Sequence, residues 1–236
     1  MPSTQVYATV AELKSRIDRT LETDDVTLLG LLTGASRSID NACNRKKDGF
    51  VAAVSSAREF VGSGTTIQRI DECASVSLVE VKDSMGDTTY TAWAGTDWDL
   101  FGGSNRFPRF NIGPFDKLMI AYNGNYSSFT SGLSARAENN LASLSGASRR
   151  GIYNPRATYG IPTVRVTALW GYALTCPPEI REATVMQAAR WYKRYKSAMT
   201  DTLASEDVGT LIYDKPLDPA IRRILVDGRY IRKTVS

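Results

Sequence analysis

The chain has 236 residues, a formal charge of +4, and 42% apolar and 23% charged residues. This is ordinary globular composition, sufficient for one large core or two small ones, and no run approaches the roughly 18–20 apolar residues of a membrane span. Histidine is absent, which removes Ser–His and Cys–His nucleophile pairs, His-ligated zinc and the commonest general base.

Thr9-Val-Ala-Glu12 fits a capping box and predicts a helix from about Val10 to Leu21. Thr23 or Asp24 offers the next cap, and Leu28, Leu32, Ala35, Ile39 and Ala42 recur as one apolar stripe that ends at the Gly49 break. From Phe50 the period changes. "ASVSLVEVKD", "SMGD" and "TTYTAW" predict a β-hairpin over residues 74–93, and "KLMIAY" (Lys117 to Tyr122) a further strand. Residues 123–162 are rich in Gly, Ser, Asn and Arg, too long for an ordinary connection and too polar to bury much, and are expected to project as a loop. "VRVTALW" alternates, with Val164, Val166, Ala168 and Trp170 on one face. Pro177-Pro178 then stop the extended chain and start a helix whose stripe is Val185, Ala188, Tyr192, Tyr195 and Met199. A short helix from Asp218 to Leu225 precedes a basic, aromatic end.

The expected fold class is α+β: a helical bundle formed by N- and C-terminal helices, with an inserted antiparallel β domain and a long projecting loop. The expected parts are a helical hairpin (1–49), a β-rich insertion (50–175) carrying the loop 123–162, a long helix (176–205) and a C-terminal arm (206–236).

The three cysteines, Cys43, Cys73 and Cys176, form no close pair and are expected to be buried apolar residues. The N-terminus lacks the charged-then-apolar order of a signal peptide, so a soluble protein made in a cytoplasm is expected. No metal site or cofactor is expected.

Four groups of residues compete as sites. Leu217, Ile221, Arg222, Arg223, Leu225, Arg229, Tyr230, Arg232 and Lys233 form the densest basic and aromatic group, either a solvated tail or a docking arm. As an arm it would be dispensable for folding, so truncation after Pro216 is expected to leave a folded protein. Arg190, Lys193 and Arg194 are either a solvated helix face or a subunit or channel surface. Arg149, Arg150, Tyr153 and Tyr159 in the loop are either exposed chain or contacts to a neighbour or tail component. Asp97 and Asp99 flank Trp98 as a glycosidase pair might, but residues two apart in sequence read as a local turn or edge pair. "GSGTT" has neither the lysine nor the spacing of a phosphate loop. Two further functions are weighed: a carbohydrate-binding β module stacking sugars on Trp93, Trp98 and Trp170, and a nucleic-acid-binding protein using the basic helix and tail.

Four segments come in an order that resembles the head–tail connector (adaptor, or head-completion) proteins of tailed bacteriophages. They are "TDDVTLLGLLTGASRSIDNACNR", "TAWAGTDWDLFGGSNRFP" followed by "KLMIAY", "VRVTALWGYALTCPPEIREATVMQAARWYKRYKSA", and "LDPAIRRILVDGRYIR". The resemblance covers about half of the chain. It implies a non-enzymatic virion protein at the head–tail interface, made in the host bacterial cytoplasm. Twelve copies would form a ring under the portal protein, extend the DNA channel and present a surface to the neck or tail-completion protein. DNA would pass without sequence-specific binding, and no membrane is involved. Under this resemblance Leu217 to Lys233 become the portal-binding arm. The stretch 123–162 departs from the family's shorter connection.

Overall fold

A computed structural model describes residues 5–18, 24–45, 47–104, 107–110, 112–133, 160–196 and 217–231. The described residues form four helices and an antiparallel sheet, an α+β protein. The helices are α1 (Val10–Ile17), α2 (Asp25–Ala42), α3 (Pro178–Lys196) and α4 (Pro219–Asp227). The strands are β1 (Ser55–Val61), β2 (Ile67–Val81), β3 (Thr91–Ala92), β4 (Trp98–Ser104), β5 (Phe107–Phe110), β6 (Phe115–Ile120) and β7 (Pro162–Trp170). The chain divides into two compact units, one made of Met1–Val51 with Thr175–Ser236, the other of Ala52–Leu174.

In the helical unit, α1 starts at the expected capping box: Thr9 Oγ1 accepts the Glu12 N–H at 3.2 Å, and Glu12 Oε2 accepts the Thr9 N–H at 2.7 Å. α1 ends at Ile17, and Asp18 turns left-handed (φ 54°). Asp24 caps α2 in sequence only. Its carboxylate makes no cap bond and instead accepts the Tyr192 hydroxyl at 3.1 Å and faces Lys196 Nζ at 3.7 Å, fastening the start of α2 to the end of α3. The stripe Leu28, Leu32, Ala35 is fully buried and meets Leu13, Val185, Ala188 and Tyr192 in one core. Tyr195, expected in the α3 stripe, is exposed instead, and Met199 lies outside the described residues.

A second, polar layer lies beside that core. The Tyr7 hydroxyl donates to Asp40 Oδ1 and accepts the Phe50 N–H at 2.9 Å, while Arg37 Nη1 lies 3.0 Å from Asp40 Oδ2. Burial pushes both the Tyr7 phenol and the Asp40 carboxyl up from their ordinary values.

The β unit has strand order β1-β7-β2-β6-β4-β5, with β3 paired to the far end of β2. β2, at 15 residues, starts seven residues before the expected strand "ASVSLVEVKD". Its first half pairs with β6 and its second half with β7, and register shifts around Arg69–Cys73, Cys73–Ser75 and Val76–Leu78 let one strand bend between two neighbours. Val164, Val166, Ala168 and Trp170 of β7 point into the core, as the alternation predicts.

Residues 123–133 do not project. Phe129 is fully buried, Tyr126 stacks on Trp93 with ring centroids 4.0 Å apart, and the Gly132 N–H donates to Gly62 O at 3.0 Å. Enough aromatic surface interrupts this polar stretch to anchor its first third. Gly62 permits the approach, because a Cβ there would lie 1.9 Å from Thr130 O.

Candidate functional site

The described part of the C-terminal arm is a helix seated on its own unit. Asp218 caps α4: one oxygen accepts the Ala220 N–H at 2.8 Å, the other faces Arg190 Nη1 of α3 at 3.5 Å, and Pro219 opens the first turn. Ile221 and Leu225, four apart, are fully buried. At the far end the Tyr230 N–H donates to Leu225 O and the Arg229 N–H to Val226 O, both at 3.0 Å. This is a Schellman closure with Arg229, at φ 56°, in the left-handed position that glycine usually takes. Gly228 stands one residue earlier, where a Cβ would lie 2.3 Å from the Tyr230 ring. Its absence lets that ring fold back on Phe50, with centroids 5.8 Å apart, and reach Glu179. Arg45 Nε donates to Tyr230 O at 3.3 Å.

This geometry divides the arm residues. Ile221, Leu225 and Tyr230 belong to the unit's interior, so they cannot serve as free apolar anchors, and Leu217 is half-buried. Truncation after Pro216 would strip three buried side chains from the core, which argues against the expectation that such a chain stays folded. Arg222, Arg223 and Arg229 are exposed, and Arg223 faces Asp227 at 3.4 Å. Arg232 and Lys233 lie outside the described residues, as do Arg149, Arg150, Tyr153 and Tyr159.

On α3, Arg190 is tied to Asp218 and is not a free surface charge, Arg194 is half-buried, and Lys193 is exposed. The three do not form one solvated face. Val226, unremarked in the sequence, stands exposed between Arg222 and Arg229. Its spacing from Arg222, four residues on a helix whose other face is Ile221 and Leu225, is the signal that places it outward.

The three tryptophans weighed as a sugar-stacking surface do not form one. Trp93 is buried, stacked on Tyr126 and Phe129. Trp170 is buried, its indole N–H donating to Ser56 O at 2.8 Å and its ring covered by Arg58 at 4.4 Å. Trp98 is half-buried against the β core. Asp97 is likewise structural: buried, it accepts the Ala94 N–H at 3.1 Å and both the backbone and side-chain N–H of Asn125 at 3.0 Å. Asp99 sits in β4, opposite Met119.

Two open depressions among the described residues bear on a small-molecule site. One of about 590 Å³ between α1 and α3 is lined by charges already paired, Arg16 with Glu182 at 3.0 Å and Arg181 with Glu12 at 3.6 Å. The other, about 470 Å³, lies in the β unit beside Phe60, Gln68, Arg69 and Lys117. Among the described residues no group of three His, Cys, Asp or Glu is placed to hold a metal ion, and no helix is long and apolar enough to cross a membrane. No protein-family model matches the chain, and no curated protein matches it either.

Proposed function

We propose that the chain is a structural, non-enzymatic virion protein: a head–tail adaptor whose copies form a twelve-membered ring under the portal protein of a tailed bacteriophage. The observation that carries this reading is the discontinuous helical unit, built from both ends of the chain around an inserted β unit. The four segments of resemblance follow the order of the elements: the first spans α2, the second β3 to β6, the third β7 and α3, the fourth α4. The conspicuous positions of the third segment are interior ones in each unit. Val164, Val166 and Trp170 lie in the β core, while Ile180 and Ala183 are fully buried in the helical unit.

In this reading the helical unit is a bundle, its neighbours in the ring enclose a channel through which DNA passes without sequence-specific contact, and a neck or tail-completion protein binds the far side. The portal is met by the exposed arginines of α4 together with the chain beyond it, while the apolar side of α4 remains in the subunit. A bound cofactor has no part in this reading.

The test is to add the purified protein to portal-bearing, DNA-filled heads that lack an adaptor and to image them by cryo-electron microscopy. A ring at the portal vertex and retention of DNA are expected. Heads that stay bare, with the protein monomeric beside them, would refute the assignment.

A further inference from the structure

We infer that the depression between the end of β1 and the start of β2 binds a small organic carboxylate. Arg69 and Lys117 hold its anionic head, and Phe60, Val61 and Ile67 face its apolar body. No part of this depends on the adaptor assignment, which gives the β unit no ligand.

Arg69 of β2 and Lys117 of β6 stand directly opposite each other in the antiparallel ladder, so both side chains leave the sheet on one face. Both line the depression of about 470 Å³, and no acidic residue is among its described lining. Like charges in such a register oppose pairing, and an anion set between them turns that repulsion into attraction. Arg69 is exposed, and among the described residues its side chain makes no hydrogen bond or ion pair. Lys117 is 5% exposed, its ammonium 5.0 Å from the centre of the Phe101 ring and 3.4 Å from Asp116 Oδ1. A buried cation attracts an anion more strongly than a solvated one. The exposed arginine beside it offers a bidentate fork at the entrance.

The neighbouring carboxylates set the charge of the ligand. Asp71, two residues from Arg69, is held by Arg58 at 2.7 Å. Asp99 lies in β4 opposite Met119 and outside the lining. Asp116 offsets Lys117 from outside the lining, so the two cations retain one net positive charge, the complement of a monocarboxylate.

The walls are fixed before any ligand arrives. Gln68 Oε1 accepts the Ser63 N–H at 2.8 Å, and its amide donates to Val61 O at 3.3 Å and Arg69 O at 2.8 Å, which fastens the end of β1 to the start of β2. Phe60, Val61 and Ile67 are half-buried and turn apolar surface to the depression. That mix, apolar walls with a few placed polar groups, is the usual make-up of a small-molecule site. Inorganic phosphate would gain nothing from those walls.

The test titrates the isotope-labelled, full-length protein with phenylacetate, phenylacetamide and inorganic phosphate, following backbone amide shifts by NMR. Saturable shifts at residues 60–69 and 117 are expected with phenylacetate, and binding about tenfold or more weaker with the amide and with phosphate. Arg69→Gln should weaken phenylacetate binding about tenfold or more, yet leave the Tm of the ligand-free protein unchanged or higher, because it removes one of two like charges. Arg69→Glu supplies the carboxylate from the chain itself. Its ligand-free Tm should rise by about 1–3 °C, and phenylacetate binding should vanish.

The inference is overturned by equal binding of phenylacetate and its amide, by phosphate binding as tightly as phenylacetate, or by unchanged binding to Arg69→Gln. A lower ligand-free Tm for Arg69→Glu would also overturn it. So would the absence of shifts at these residues up to about 20 mM phenylacetate, enough to fill a millimolar site.

Discussion

The hydroxyl of Tyr230 donates to Glu179 Oε2 at 2.9 Å, tying the turn that closes α4 to the first turn of α3. Glu179 is exposed and keeps access to water, so the bond itself is worth little and the buried ring much. Tyr230→Phe is expected to cost about 0.5–1.5 kcal/mol and Tyr230→Ala about 3–5 kcal/mol, read by chemical denaturation.

Removing the helix should be worse than removing one contact. Leu225→Ala is expected to cost about 2–5 kcal/mol, as for other fully buried leucines. A chain ending at Pro216 should lose hydrogen-exchange protection in α3, against which α4 packs. Unchanged protection there would show that α4 is not part of the unit's stability.

Alkaline pH should weaken both units. Burial pushes the thiols of Cys43 and Cys73 up from 9.0 to about 12. Between those values the unfolded chain releases these protons and the native chain keeps them. Stability is therefore complete below pH 9 and falls as pH rises towards 12, by up to about 1.4 kcal/mol per pH unit for each thiol. Denaturation midpoints measured from neutral to alkaline pH should decline, and Cys43→Ala with Cys73→Ala should flatten the slope. Both thiols should also resist alkylation in the native protein.

Gly62→Ala should unseat residues 129–132. The new methyl group would overlap Thr130 O, which is backbone and cannot swing aside. A cost of about 1–3 kcal/mol and faster hydrogen exchange at Phe129 and Gly132 are expected. Their amides donate to Thr65 O and Gly62 O.

Asp97→Ala should loosen the same unit without affecting any chemistry. It strands three N–H donors from Ala94 and Asn125. A loss of about 1–3 kcal/mol is expected. Hydrolysis of a glycan that depends on Asp97 would contradict this structural role.

What the sequence made legible was local and periodic. The capping box at Thr9 and Glu12, the stripe from Leu28 to Ile39 and the alternation from Val164 to Trp170 each use a single element's own geometry, and each stands in the structure. Long-range partnership was harder to read. β1 carries the mixed pattern of an edge strand and β4 contains two adjacent glycines, so neither showed strand periodicity. Both exist because β7 and β6 offer them a ladder. Trp170 was legible as core from its alternation, but the burial of Trp93, weighed as part of a sugar-stacking surface, was not: only the fold brings Tyr126 and Phe129 over its ring. The arm was half legible. Arg222, Arg223 and Arg229 are exposed, but amphipathic spacing alone does not say whether Ile221 and Leu225 face a partner or the chain's own core.

At the mouth of the β unit the Ala52 N–H donates to Ala173 O at 2.8 Å. The two ends of the β unit therefore lie side by side, about one strand spacing of 5 Å apart. Chain added to or lost from a loop between the strands leaves those two ends where they are, so the β unit can vary in length without moving the residues at which it begins and ends.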